Sequence, residues 1–184
     1  TNPGISGQIL DDAQKQAAAN RAEEEYQRQV RVREETKGRI GEIETKGRER
    51  FTKEIGRLTE FEKNPNLIRS DAELASQLAA QEASINENVL TTRLGAAKTL
   101  SSAGLRSSGK VSDVVKQAEQ TAGYQKGALM GDLMGRISEA RRGLEGQQES
   151  FLGDIASAYS SAESTGMANL GGLQGQIQSL TPSF

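Results

Sequence analysis

The chain contains no cysteine, no histidine and no tryptophan. Disulfides, thiolate nucleophiles and metal sites built on cysteine or histidine are therefore excluded, and most hydrolytic triads with them. The redox compartment stays open, because a chain without cysteine suits either. Aromatic residues make up only 4% of the 184 positions, so few bulky side chains are available to fill a thick core. Hydrophobic residues reach 34%, against the roughly 45–50% usual for soluble domains, a range that also counts glycine. No apolar run approaches the length of a membrane span, and none reads as a signal-peptide core. The formal net charge of −2 gives no overall pull toward nucleic acid. The chain opens TNPGISGQ without a methionine. Loss of an initiator methionine before Thr1 and a trimmed start explain this equally well.

What the chain has is alanine, glutamine, glutamate and arginine, together with 20 glycines. That composition favours long thin helices over a layered fold. The expected class is all-α, with elongated helices forming a bundle or ring with neighbouring copies and a glycine-rich, malleable C-terminal tail. Residues 1–63 read as one long charged helix, uninterrupted by proline from Ser6 to Glu62. Glu35–Arg39, Glu42–Lys46, Glu44–Arg48 and Glu49–Lys53 place an acid four residues before a base. Each pair adds about 0.2–0.5 kcal/mol to an exposed helix. The apolar stripe of Tyr26, Val30, Ile40, Ile43, Phe51, Ile55, Leu58 and Phe61 is thin, enough to lay one narrow face on a partner. The pentapeptide ETKGR occurs at 35–39 and again at 44–48. A nine-residue spacing advances an α-helix by about 900° and leaves the two copies on opposite faces. Gly38, Gly41, Gly47 and Gly56 are read as marks of a solvated, flexible helix, in preference to points where a neighbouring helix or DNA comes close.

Residues 64–103 read as a capped middle helix. KNPN at 63–66 stops the first helix, and SDAE at 70–73 matches a capping box with Ser70 as N-cap and Glu73 as its return partner. Residues 104–110 form a Ser/Gly elbow that imitates a phosphate-binding loop: Gly104, Gly109 and Lys110 fit the first seven positions of G-x-x-x-x-G-K-[ST]. Such a loop needs a buried strand before it and a hydroxyl beside the lysine. LGAAKTLSSA precedes it and Val111 follows the lysine, so the reading is a joint and not a nucleotide site.

Residues 111–165 read as a glycine-ridged, heptad-like helix. Leu133, Ile137, Ala140, Leu144, Phe151, Ile155, Ala158 and Ala162 fall on three- and four-residue steps, the pattern of coiled-coil packing. Gly123, Gly127, Gly131 and Gly135 stand four apart, leaving a ridge on which another helix would settle. Lys126, Asp132 and Arg136 argue against burying that ridge in lipid. The candidate helix-packing residues are these four glycines with Leu133, Ile137, Leu144, Phe151 and Ile155. Residues 166–184 carry no charge but keep a stripe of Leu170, Leu173, Ile177, Leu180 and Phe184, the candidate contacts for a membrane or a partner helix. A membrane-surface helix usually carries Lys or Arg on its polar face. Docking on a partner helix is therefore preferred, with bilayer insertion and disorder as the alternatives. No catalytic residue, metal ligand or cofactor is expected, since carboxylates on exposed helices lack the rigid cleft that acid–base chemistry needs. Thr1 to Arg69 holds 14 basic and 13 acidic residues, a balance that supports only non-specific DNA contact.

Three stretches carry a resemblance. They are DDAQKQAAANRAEEEYQRQVRVREE, then RLGAAKTLSSAGLRSSGKVSDVVKQAEQ, and the glycine-laced remainder with its uncharged tail. In texture they resemble the small internal virion proteins, or DNA-ejection proteins, of short-tailed bacteriophages. The resemblance implies a non-enzymatic virion protein, stored in the capsid interior or portal–tail region and ejected ahead of the genome. It further implies homo-oligomers in the host envelope that form a conduit for DNA, with portal, tail or other ejection proteins as partners and membrane contact after ejection. The alternatives are a static portal or tail adaptor, another helical virion component such as a tail-length protein, a scaffolding protein, or a helical component of a bacterial secretion apparatus.

Overall fold

The computed structural model describes residues 3–104 and 109–181, with side chains for 9–104 and 112–181. All regular structure among the described residues is helical. Helix α1 spans Pro3–Lys63, α2 Ala72–Ser102, α3 Gly109–Thr165 and α4 Leu170–Gln178, with a 3-10 turn at Pro65–Ser70 between α1 and α2. Helix α1 thus starts three residues before the expected Ser6, at a proline whose fixed φ and missing N–H suit a first helical turn.

The junction after α1 departs from the capping-box expectation. The Asn64 N–H still bonds the Glu60 carbonyl at 2.9 Å, but Pro65 has no N–H with which to continue the ladder. Asn64 Oδ1 accepts from the Asn66 N–H at 3.3 Å and rolls the chain into the 3-10 turn. Ser70 is consumed by that turn, its hydroxyl donating to the Leu67 carbonyl at 2.7 Å. The N-cap of α2 is therefore Asp71, extended at φ −81° and ψ 120°, whose Oδ1 accepts from the Leu74 N–H at 3.1 Å. Helix α2 ends on Gly104 at φ +75°, the left-handed geometry that glycine adopts without strain after a helix. Of the expected elbow, Leu105–Ser108 lie outside the described residues, and Gly109 is already the first residue of α3.

The chain forms two compact units, each drawing on a piece of α1 and a piece of α3. In the first, residues up to 52 and from 145 to 181, α1 and α3 run antiparallel. Thr36 meets Gly166, Lys37 meets Glu163, Glu44 meets Tyr159 and Phe51 meets Phe151. Its interior is a seam of Ile40, Ile43, Phe51, Phe151, Ile155, Ala158 and Ala162, closed by Leu173 and Leu180 from the C-terminal segment. Full burial of each Leu, Ile or Phe contributes about 1.5–3 kcal/mol. Residues 9–29 of α1 are exposed at every position.

The second unit, residues 53–144, is built on Leu58, Phe61, Ile68, Leu74, Leu78, Ala122, Ile137 and Leu144. Arg141 Nε donates to Glu62 Oε2 at 2.8 Å, joining α3 to α1. The Arg57 guanidinium lies 5.6 Å from the centre of the Phe61 ring and reaches the Asp71 carboxylate at 3.7 Å, which ties the end of α1 to the cap of α2. Among the described residues, none that is buried is polar or charged.

Candidate functional site

Among the described glycines, the tightest surroundings are those of Gly47. A Cβ placed there would overlap the ring edge of Phe151 and sit 3.3 Å from Ile177 Cδ1. The missing side chain is thus a slot in α1, filled by the Phe151 ring. That ring also lies 5.6 Å, centroid to centroid, from Phe51 at a 44° tilt, within the range of favourable aromatic pairs. Gly41, six residues earlier, leaves room in the same way: a Cβ there would be 3.3 Å from the Tyr159 hydroxyl. The reading of these two glycines as merely solvated is therefore corrected, because α3 comes close to the backbone of α1 at both. A signal was present: Gly47 lies seven residues after Ile40 and four before Phe51, on the apolar stripe itself. Gly38, its counterpart in the first ETKGR copy, is exposed with open space where a Cβ would stand.

Polar groups fix the register around the slot. Lys37 pairs with Glu163. Their mutual hydrogen bond, reinforced by charge attraction, raises the lysine and lowers the carboxylate from their ordinary ranges. The Tyr159 hydroxyl donates to Glu44 Oε2 at 3.3 Å while Arg48 holds Glu44 Oε1 at 2.9 Å. Desolvation first, and the neighbouring Glu44 charge second, push the tyrosine up.

The C-terminal segment folds back onto this seam. Gly166 ends α3 at φ +73°, and its carbonyl accepts from the Thr36 hydroxyl at 2.9 Å. Asn169 caps α4 through Oδ1 on the Gly172 N–H at 3.0 Å. Gln176 Nε2 donates to Asp154 Oδ2 at 2.6 Å, and Arg50 Nη2 donates to the Leu180 carbonyl at 3.3 Å. Leu173 and Leu180 are buried, while Leu170 and Ile177 are half-buried. Open clefts flank α4 on both sides. Ala158 and Leu173 line the one toward α3, and Ile43 and Ile177 the one toward α1. The residues offered as membrane or partner contacts thus meet α1 and α3 of their own chain, with Phe184 outside the described residues.

The remaining packing candidates divide. Ile137, Leu144, Phe151 and Ile155 are buried and Leu133 is half-buried. Gly123, Gly127, Gly131 and Gly135 are all exposed, with nothing within 4 Å of an added Cβ. No described helix of the chain settles on that ridge, so the close approach expected there is not made among the described residues. The physical reason is angular: Ala122, Leu133, Ile137 and Leu144 lie within about 60° around α3, and the four glycines are turned away from the middle of that face by about 70° to 190°. At the imitation phosphate loop, the residues before Gly104 are the last turns of α2, where the loop would need a strand. Among the described residues no acidic cluster suited to a metal occurs, and no helix is long and apolar enough to cross a membrane. No protein family, no curated protein and no solved structure matches the chain.

Proposed function

We propose that this chain is a non-enzymatic building block of a helical homo-oligomer. More specifically, we propose a virion protein stored in the capsid interior or portal–tail region, ejected ahead of the genome, and reassembled into a conduit across the host envelope. The observation that carries this reading is unused helix surface. Residues 9–29 of α1 are exposed throughout, with Ile9, Leu10 and Tyr26 each more than half exposed. The glycine ridge of α3 is open as well. A helix without tertiary contacts is only marginally stable in water and gains most from neighbours. Other copies and other virion proteins are the partners of this reading, DNA contact is non-specific, and membrane contact requires the C-terminal segment to leave its seat.

A second reading has its own support. Leu173 and Leu180 are buried in the folded chain, which favours a fixed portal or tail component that never presents them to a bilayer. Quantitative mass spectrometry of purified virions separates the two, comparing full particles with particles triggered to release DNA. Depletion from emptied particles is expected. Retention in both supports the fixed component, and absence from both removes the virion assignment.

A further inference from the structure

Helices α3 and α4 carry the same apolar face in the same helical phase. Ile155 and Leu173 are 18 residues apart, and so are Ala162 and Leu180. Eighteen residues make five turns at 3.6 residues per turn. If α3 ran straight on through α4 to Leu180, Phe151, Ile155, Ala158, Ala162, Leu173 and Leu180 would share an arc of about 60°, and the half-buried Leu170 and Ile177 would widen it to about 120°, still a single apolar face. The first six are buried in the present fold, where four residues, 166–169, break the helix and turn α4 back. A short helix that packs only as a returning hairpin has no need of phase continuity with the helix before it.

The break is held by three local features: Gly166 at φ +73°, the Thr165 hydroxyl oxygen accepting from the Met167 N–H at 3.3 Å, and the Asn169 cap of α4. Two of them are single hydrogen bonds on exposed residues; Met167 is 74% exposed, and Met and Ala at 167 and 168 are good helix formers. No proline lies between Thr165 and Thr181. Helix α4 carries no charged residue, so no side-chain ion pair of its own anchors it. The segment's polar ties to α1 and to the body of α3 are the Gln176–Asp154, Arg50–Leu180 and Thr36–Gly166 hydrogen bonds.

We infer that residues 166–169 are a hinge, and that straightening it transfers α4 to the identical seat on a second copy of this chain. The occupant follows from the seat. The slot at Gly47 and the two flanking clefts are formed around Ile177, Leu173 and their neighbours, so the segment that fits a vacated seat is another copy of α4. The contacts of α4 with α1 and α3 are recovered in the exchanged form, the condition under which segment exchange between identical chains is inexpensive, and the Asn169 cap gives way to a helical backbone bond. The extended form adds helical backbone bonds through 166–169. This inference does not depend on where the chain works.

The absence of native cysteine allows a direct test on the full chain. Asp154→Cys and Gln176→Cys replace a hydrogen-bonded pair that spans α3 and α4, and a short bismaleimide joins them when they are close. The doubly substituted chain is expected to cross-link within itself at low concentration; failure to do so overturns the seat. In a mixture of the two singly substituted chains, a cross-linked dimer is expected, increasing with protein concentration. Gly166→Ala adds a Cβ that meets only ordinary contacts, 3.4 Å from Val32 Cγ1, so its effect is on the backbone conformation. It is expected to shift the closed-to-extended ratio by about 5- to 30-fold toward the extended form, the range that a side chain in left-handed geometry implies. Cross-linking inside the doubly substituted chain with no dimer in the mixture at any concentration overturns the exchange, whatever the alanine variant does.

Discussion

Gly38 and Gly47 stand at the same place in the two ETKGR copies, nine residues apart on α1, and their surroundings differ completely. One faces open space; the other receives the Phe151 ring. Gly38→Ala is expected to stabilise the chain by about 1 kcal/mol, the difference in helix propensity. Gly47→Ala gains the same propensity but forces the ring to move, and a net loss of about 1–2 kcal/mol is expected from overpacking. Urea unfolding of the two variants checks both signs, and equal shifts in one direction would remove the slot. The nine-residue arithmetic already placed the copies on opposite faces. The inward face was legible from the stripe, since Gly47 stands in line with Ile40 and Phe51; the ring that fills the slot was not, because α3 supplies it more than a hundred residues later. The Ser70 cap failed for a local reason: Pro65 drew the chain into a 3-10 turn that took the serine first.

At the scale of elements, the seam of α3 was legible because three- and four-residue steps in a single helix need no knowledge of the partner. The ridge of glycines was legible as a pattern but not as a contact, since spacing says what a helix offers and nothing about what arrives. The return of α4 was the least legible, because an uncharged amphipathic stripe suits a bilayer, a partner or the chain itself. Within α1 the contrast between residues 9–29 and 36–52 has a measurable consequence. The second stretch is fastened by Lys37–Glu163, Glu44–Tyr159 and the Phe51–Phe151 pair, whereas the first has no buried position. Amide hydrogen exchange at low protein concentration is expected to be faster by at least about ten-fold in peptides from 9–29 than in those from 36–52. Equal protection would mean that the exposed stretch is stabilised by something other than the contacts described.

For the whole molecule, the titrating groups of the seam set a pH window for stability. Lys37 is raised by its hydrogen bond with Glu163, so its contribution is complete below the ordinary lysine range and disappears as pH rises through its folded-state value. Glu163 is lowered by the same bond, so its contribution is present above the ordinary carboxylate range and disappears on acidification through its folded-state value. Tyr159 is raised by desolvation and by Glu44, which adds a second loss on the alkaline side. These groups therefore leave stability level from near pH 5 to about pH 9 and reduce it beyond both ends. Tyr159→Phe is expected to flatten the alkaline arm of midpoint against pH while leaving the acid arm in place. An unchanged alkaline arm would detach Tyr159 from the seam.

The slot at Gly47 also couples two positions as substitutions accumulate over time. A side chain at 47 costs about 1–2 kcal/mol while the ring at 151 stays, and truncating that fully buried ring to alanine first costs about 3–5 kcal/mol for its transfer and the cavity it leaves. Either change lowers the cost of the other, so the two positions drift together although they belong to different helices.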